Sequence, residues 1–69
     1  MHLKIKSERA LHELSQKDLA DLLGVTRETI SKWEQGQTLI PSSYVAIMAR
    51  EIFNCTSDWL LGLSDKRTA

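Results

Sequence analysis

The chain has 69 residues, with nine Lys plus Arg against nine Asp plus Glu, so no polycationic character holds a partner by charge alone. A single domain of this size buries only ~60% of its extended surface, and three Gly, one Pro and few alternating apolar runs favour a small helical core over a sheet. The one cysteine, Cys55, excludes an internal disulfide and agrees with a reducing compartment, and no apolar run approaches the ~20 residues of a membrane span.

Residues 1–14 carry charge throughout, which does not read as a signal peptide. The first helix is expected over Leu3 to Leu11, with Ile5 and Arg9 four apart on one face. His2 and His12 are isolated and read as surface residues rather than ligands; His12 near a helix C-terminus suits the helix dipole. Ser15 begins the second helix. With Asp18 three residues on it forms a capping-box pattern, and Leu19, Ala20, Leu22 and Leu23 give an apolar stripe. Gly24 stops that helix, Val25 plugs the turn, and Thr26 caps a third helix, Arg27 to Glu34.

Gln37 to Ser42 reads as an uncharged loop closed by Pro41. Its Leu39 and Ile40 need cover, either on Trp33 or from another chain. Ser42 or Ser43 can cap a fourth helix to about Phe53, on which Val45, Met48, Ala49, Ile52 and Phe53 form a full stripe. Asn54 ends it. Thr56 caps a short fifth helix, Ser57 to Leu61, which Gly62 terminates. Ser64 to Ala69 is a polar tail expected to fray. The chain thus reads as all-α: a compact five-helix domain over 1–63, then the tail at 64–69. Its expected core comprises Ile5, Leu14, Leu19, Leu23, Val25, Ile30, Trp33, Val45, Ile52 and Trp59.

The third helix carries the functional signal. Ile30 and Trp33 share one face and pin it, while Arg27, Glu28, Ser31, Lys32 and Gln35 share the other. A helix so pinned presents a row of hydrogen-bonding side chains, which is what reading base edges in the DNA major groove requires. No metal-ligand cluster, nucleophile pattern or Gly-rich phosphate loop is present, so neither an enzyme nor a cofactor is expected.

Ser15-Gln16, Leu19-Ala20, Leu22, Gly24-Val25, Thr26, Ile30-Ser31, Trp33-Glu34 and Gly36 together resemble the helix-turn-helix of lambda repressor, Cro and xenobiotic-response-element type regulators. Pro41 and Asp58-Trp59-Leu60-Leu61-Gly62 extend the resemblance, which covers roughly Ile5 to Gly62 with the helix-turn-helix at 15–36. It implies a lambda-repressor-like fold and a bacterial or phage-encoded cytoplasmic regulator. It also implies that Gln16 meets a phosphate and Thr26 the groove edge. Arg27, Glu28 and Lys32 would read bases, with Ser31 as a shorter-reach candidate and Gln35 on a phosphate. Lys17 can lie near the groove. Arg9 and Glu34 match an ion pair that holds the recognition helix.

The sequence departs from that family at several points. Glu13 stands where Gly or Asn is usual, so the first helix end is expected to be less regular. At Glu8, usually apolar, two arrangements are open. Either the carboxylate reaches solvent at the rim, or the first helix is rotated and Leu11 takes over packing. Ala49 fills the role that the family gives to the Arg50 position, so the register can slip by one residue. Within 15–36, Lys17, Arg27 and Lys32 are outnumbered by Asp18, Asp21, Glu28 and Glu34, which predicts weak non-specific DNA binding. The expected function is sequence-specific binding of a double-stranded DNA operator, as a repressor. One helix reads only about four base pairs, so a homodimer is expected, with Leu39, Ile40, Trp59, Leu60 and Leu63 as contact candidates. The alternative is a protein-interaction module, such as an antitoxin or antirepressor partner, that keeps the fold with little DNA binding.

Overall fold

Ser15 and Thr26 start their helices by the same chemistry. Ser15 Oγ accepts from the Asp18 amide at 3.0 Å, and the Asp18 carboxylate accepts from the Ser15 amide at 3.0 Å, closing the capping box. Thr26 Oγ1 accepts from the Thr29 amide at 3.1 Å. From these caps run α2 (Gln16–Leu23) and α3 (Arg27–Glu34). Between them Gly24 takes φ +71°, and the next amide, of Val25, returns to the Ala20 carbonyl. The chain reverses there at no cost to a Cβ. The computed structural model describes residues 3–68; His2, expected at the surface, lies outside them, as does Ala69.

The remaining helices are α1 (Ile5–Leu11), α4 (Ser42–Ile47) and α5 (Ser57–Leu60), so the architecture is all-α, with five α-helices among the described residues. Helix α1 starts two residues later than Leu3. The Lys4 amide is used instead on the Leu60 carbonyl at 2.9 Å, which ties the chain's beginning to α5. Helix α4 starts without a serine side-chain cap. Pro41 occupies the cap position, and its carbonyl accepts from the Tyr44 and Val45 amides. Thr56 caps α5 through the Trp59 amide, at 3.1 Å.

The end of α1 is regular. Glu13 adopts φ +57°, its amide donates to Ala10, and the Leu14 amide donates to Arg9, the paired bonds of a Schellman motif. The same pair closes α3 at Gly36 and α5 at Gly62. A glutamate therefore holds the left-handed position for which the family uses Gly or Asn, because the two bonds and the contacts of α1 outweigh its Cβ strain, ~1–2 kcal/mol.

Helix α4 continues into one π-helical turn, Met48–Ile52, in which the Phe53 amide reaches the Met48 carbonyl at 2.8 Å. The wide turn holds one extra residue. It lets Met48, Ala49 and Phe53 be fully buried together while Arg50 faces out. They join Ile5, Leu19, Ala20, Ile30, Trp33, Val45, Cys55 and Leu60 in the core. Leu14, Leu23, Val25, Ile52 and Trp59, expected inside, pack around it half-buried.

Both arrangements open at Glu8 are overturned. Glu8 is 3% exposed, and Leu11, its expected substitute, is 65% exposed. The carboxylate stays inside because Arg67 answers it with two bonds, Nη2 to Oε1 at 2.6 Å and Nε to Oε2 at 2.9 Å, and Trp59 Nε1 adds a third at 3.2 Å. Such a bidentate pair satisfies a buried charge that would otherwise be intolerable. The tail expected to fray is thereby tied down through residue 67. The Thr56 amide donates to the Arg67 carbonyl at 2.8 Å, and Thr56 Oγ1 to the Lys66 carbonyl at 3.2 Å.

The Arg67 hydrogen bonds hold the Glu8 carboxyl below its ordinary value; burial opposes them, and the Trp59 bond and the charges of Arg67 and His12 reinforce them. A folded pKa below the unfolded one contributes stability that is complete above the ordinary carboxylate range and lost as pH falls through the folded value. Melting temperature is therefore expected to fall on acidification below the usual glutamate range. The fall should be shallower in Glu8→Gln, where Asp18, also depressed, remains. Identical acid limbs in the two proteins would detach Glu8 from stability.

Candidate nucleic-acid interface

Helix α3 is fixed from inside by apolar contact and from its end by charge. Ile30 is fully buried, Trp33 is 3% exposed, and the Trp33 ring meets Tyr44 at 5.4 Å between centroids. At the C-terminal end of α3 the Glu34 carboxylate receives three donors. Arg9 Nε reaches Oε2 at 2.9 Å, Arg9 Nη2 reaches Oε1 at 3.3 Å, and Gln16 Nε2 reaches Oε1 at 3.1 Å. Arg9 Nη1 also donates to the Leu14 carbonyl at 2.9 Å. The two charged side chains are only 14% and 7% exposed.

The opposite face of α3 is polar and open. Arg27, Glu28, Lys32 and Gln35 are exposed, Ser31 is half-buried, and Thr26 is exposed at the start of the helix. Gln16, Arg27, Glu28 and Ser31 together line a shallow polar cleft between α2 and α3. Two helices joined by a short left-handed turn, the second presenting a polar outer face, are the geometry of a helix-turn-helix. Residues 5–60 match the helix-turn-helix family, of lambda repressor and Cro type. The chain belongs to that family. An uncharacterized HTH-type transcriptional regulator of Methanocaldococcus jannaschii is 54% identical over 37 residues, which are 54% of this chain and 56% of that protein. The chain thus matches little more than half the length of that relative. No solved structure matches the chain.

Within this helix-turn-helix the candidate DNA residues are more engaged with one another than their types suggest. Gln16, expected on a phosphate, has given one amide hydrogen to Glu34. Lys17 pairs with Asp21 at 3.0 Å, and Lys32 lies 3.6 Å from Glu28, both one helical turn apart and exposed. Gln35 Nε2 donates to Ser31 Oγ at 3.0 Å, and the Thr26 and Thr29 hydroxyls share a bond of 2.9 Å. Among the described residues Arg27 is the cation of α2 and α3 without an ion-pair partner.

The proposed dimer contacts divide. Leu39 is 96% exposed and Leu63 is 60% exposed. Leu39 also lines an apolar cleft with Leu3, Gly36, Thr38, Ile40 and Leu61. Ile40 is half-buried against the core, and Trp59 is half-buried with Lys4 Nζ 4.8 Å from its ring centre. Leu60 is fully buried, so it is withdrawn as a contact between chains: α5 turns it into the core. The role of Arg67 was missed; its one sequence signal was an acidic residue at Glu8, where the resembled family usually has an apolar one.

Removing Glu34 strands the Arg9 guanidinium and frees the end of α3. Glu34→Ala is expected to cost about 3 kcal/mol, as loss of one partner of a buried pair does. Lys17→Ala, at an exposed pair, is expected to leave stability nearly unchanged. Urea unfolding measures both, and equal small losses would make the Arg9–Glu34 contact an ordinary surface pair.

Proposed function

We propose that this chain is a transcription regulator that binds double-stranded DNA sequence-specifically, laying α3 in the major groove. The observation that carries the reading is the outward row on α3. Arg27, Glu28, Ser31 and Lys32 stand on a helix whose inner side and end are both immobilised, and a helix held that way can present side chains to base edges in one register. The helix-turn-helix family is one of DNA-binding regulators, and the Methanocaldococcus jannaschii relative bears the name of a transcriptional regulator. In this reading Arg27 contacts a guanine, Glu28 accepts from a cytosine amino group or shapes Lys32, and Ser31 makes a short contact. Gln16, Lys17, Thr26 and Gln35 meet the backbone and set the docking register. The protein acts in the cytoplasm as a repressor, as a homodimer on a two-fold operator whose half-sites lie one DNA turn (~34 Å) apart. Of the expected contact residues, Leu39 and Leu63 are the exposed ones.

A second reading is a protein-interaction module. It is favoured by the pairing of Lys17 and Lys32 with carboxylates, which reduces the charge available for phosphate, and by the exposure of Leu39. Selection of bound sequences from random DNA separates the two; no enrichment at low salt favours the interaction module.

On a selected operator, Arg27→Ala is expected to weaken binding by ~1–3 kcal/mol and to relax preference at one base pair per half-site. Uniform losses across all operator variants would reduce Arg27 to a phosphate contact.

Glu28→Gln removes a like charge near the phosphates and releases Lys32 from its 3.6 Å pairing. Affinity for scrambled DNA is therefore expected to rise, with the salt slope steeper by ~0.9 per subunit as one more phosphate is neutralised. Discrimination should fall at the base pair Glu28 faces. A salt series on operator and scrambled duplexes reads both effects, and unchanged affinity for scrambled DNA would mean that Glu28 is not in the groove.

A further inference from the structure

Glu8 and Arg9 are consecutive on α1 and hold opposite parts of the molecule. Arg9 holds the end of α3 through Glu34 at 2.9 Å. Glu8 holds the C-terminal segment through Arg67 at 2.6 Å. The same guanidinium donates to the Phe53 carbonyl, at the end of the π turn, at 2.8 Å, and the main chain of 66–67 is received by the Thr56 cap of α5. Among the described residues no buried side-chain nitrogen or oxygen lacks a partner. Undocking the segment would change that. A carboxylate only 3% exposed would be left with the single Trp59 bond. With Arg67 gone the carboxylate meets water directly, and α1 loses the tie that Arg67 makes from Glu8 to the Phe53 carbonyl. A shift of α1 carries Arg9 with it, because both lie on one helical turn.

We propose that Glu8 and Arg67 are positioning residues for the DNA-reading helix: segment 64–67, docked on Glu8, fixes α1, and α1 fixes the end of α3 through Arg9. The role of α3 in this statement rests on the function proposed above. Docked, the segment holds the base-reading face at one angle. Released, it leaves the phosphate contacts near the helix starts in place and loosens the end of α3, so discrimination falls before general affinity does.

Cys55 supplies a reporter of docking. It is 8% exposed and shares a shallow cleft with Asn54, Thr56 and Thr68, the residue after Arg67. Because Arg67→Ala alone strands the Glu8 charge and can unfold the domain, the informative protein is the double variant Glu8→Leu with Arg67→Ala. It removes both partners and restores an apolar side chain to the inner face of α1. Arg67→Gln is run beside it, since glutamine can still donate to Glu8 and intermediate values are expected. Three quantities are read on the full chain: reaction of Cys55 with an aromatic disulfide reagent, amide exchange over Ile30–Glu34, and the ratio of affinities for selected operator and scrambled DNA.

In the double variant Cys55 is expected to react about tenfold faster, and the α3 amides to exchange several-fold faster, with a melting temperature near that of the original chain. The operator-to-scrambled ratio is expected to fall about fivefold while affinity for scrambled DNA is unchanged. Cys55 reacting as slowly as in the original chain would overturn the docking. Fast Cys55 with unchanged α3 exchange and unchanged discrimination would overturn the coupling. If the original chain selects no DNA sequence, the proposed function fails, and Cys55 reactivity with α3 exchange alone decides the positioning role.

Discussion

The Glu34 carboxylate is the point on which the first three helices meet. Arg9 reaches it from α1, Gln16 from the start of α2, and Glu34 itself ends α3. Eight-residue helices such as α2 and α3 are far below the length at which an isolated helix persists in water, so their order comes from tertiary contacts. Apolar packing through Ile30 and Trp33 holds α3 down but is tolerant of small rotations about the helix axis. A planar guanidinium against a carboxylate is not tolerant, because both bonds require coplanarity. Arg9 is also bonded to the Leu14 carbonyl, just past the turn that ends α1. One side chain thus sets the end of α1, the entry to α2 and the end of α3.

A second carboxylate, Glu8, is solved the same way from the other side of α1, with Arg67 as its guanidinium. Pairs of this kind add little net stability over an apolar replacement, since desolvation offsets most of the attraction. What they supply is intolerance of alternatives: helix α1 cannot slide or rotate without leaving a buried charge unanswered. In a domain whose apolar core consists of eleven buried residues among those described, such constraints define the arrangement more sharply than packing alone.

The features legible in the sequence were those whose partners lie three or four residues apart. The Ser15–Asp18 box, the Thr26 and Thr56 caps and the Gly24 turn all work within one helical turn. The outward row on α3 was legible because Ile30 and Trp33 define its inward side. The Arg9–Glu34 pairing was expected only through family resemblance, since nothing local links positions 25 apart. Glu8 and Arg67 are separated by 59 residues. No spacing rule joins them, and a charged residue at a buried position carries no address for its partner. The winding of residues 48–52 was invisible for a different reason: the stripe from Val45 to Phe53 satisfies α periodicity, and the choice of a wider turn is made by what Ala49 and Phe53 must fit beneath. Leu60 illustrates the same limit in a four-residue helix, too short for its pattern to separate the core from a surface contact.

The π turn also makes chain length adjustable at one place in this domain. Deleting a residue from an ordinary helix turns every later side chain by ~100° about the axis and would swing the following segment off its seat. In Met48–Ile52 the surplus residue is already accommodated as a bulge. Loss of one residue there, at outward-facing Arg50, returns the segment to α winding with Val45 before it and Phe53 after it on the faces they now occupy. Shorter versions of the chain that keep every buried side chain in place are therefore accessible by a single deletion at this turn, whereas the same deletion within α3 would rotate the base-reading row away from its groove.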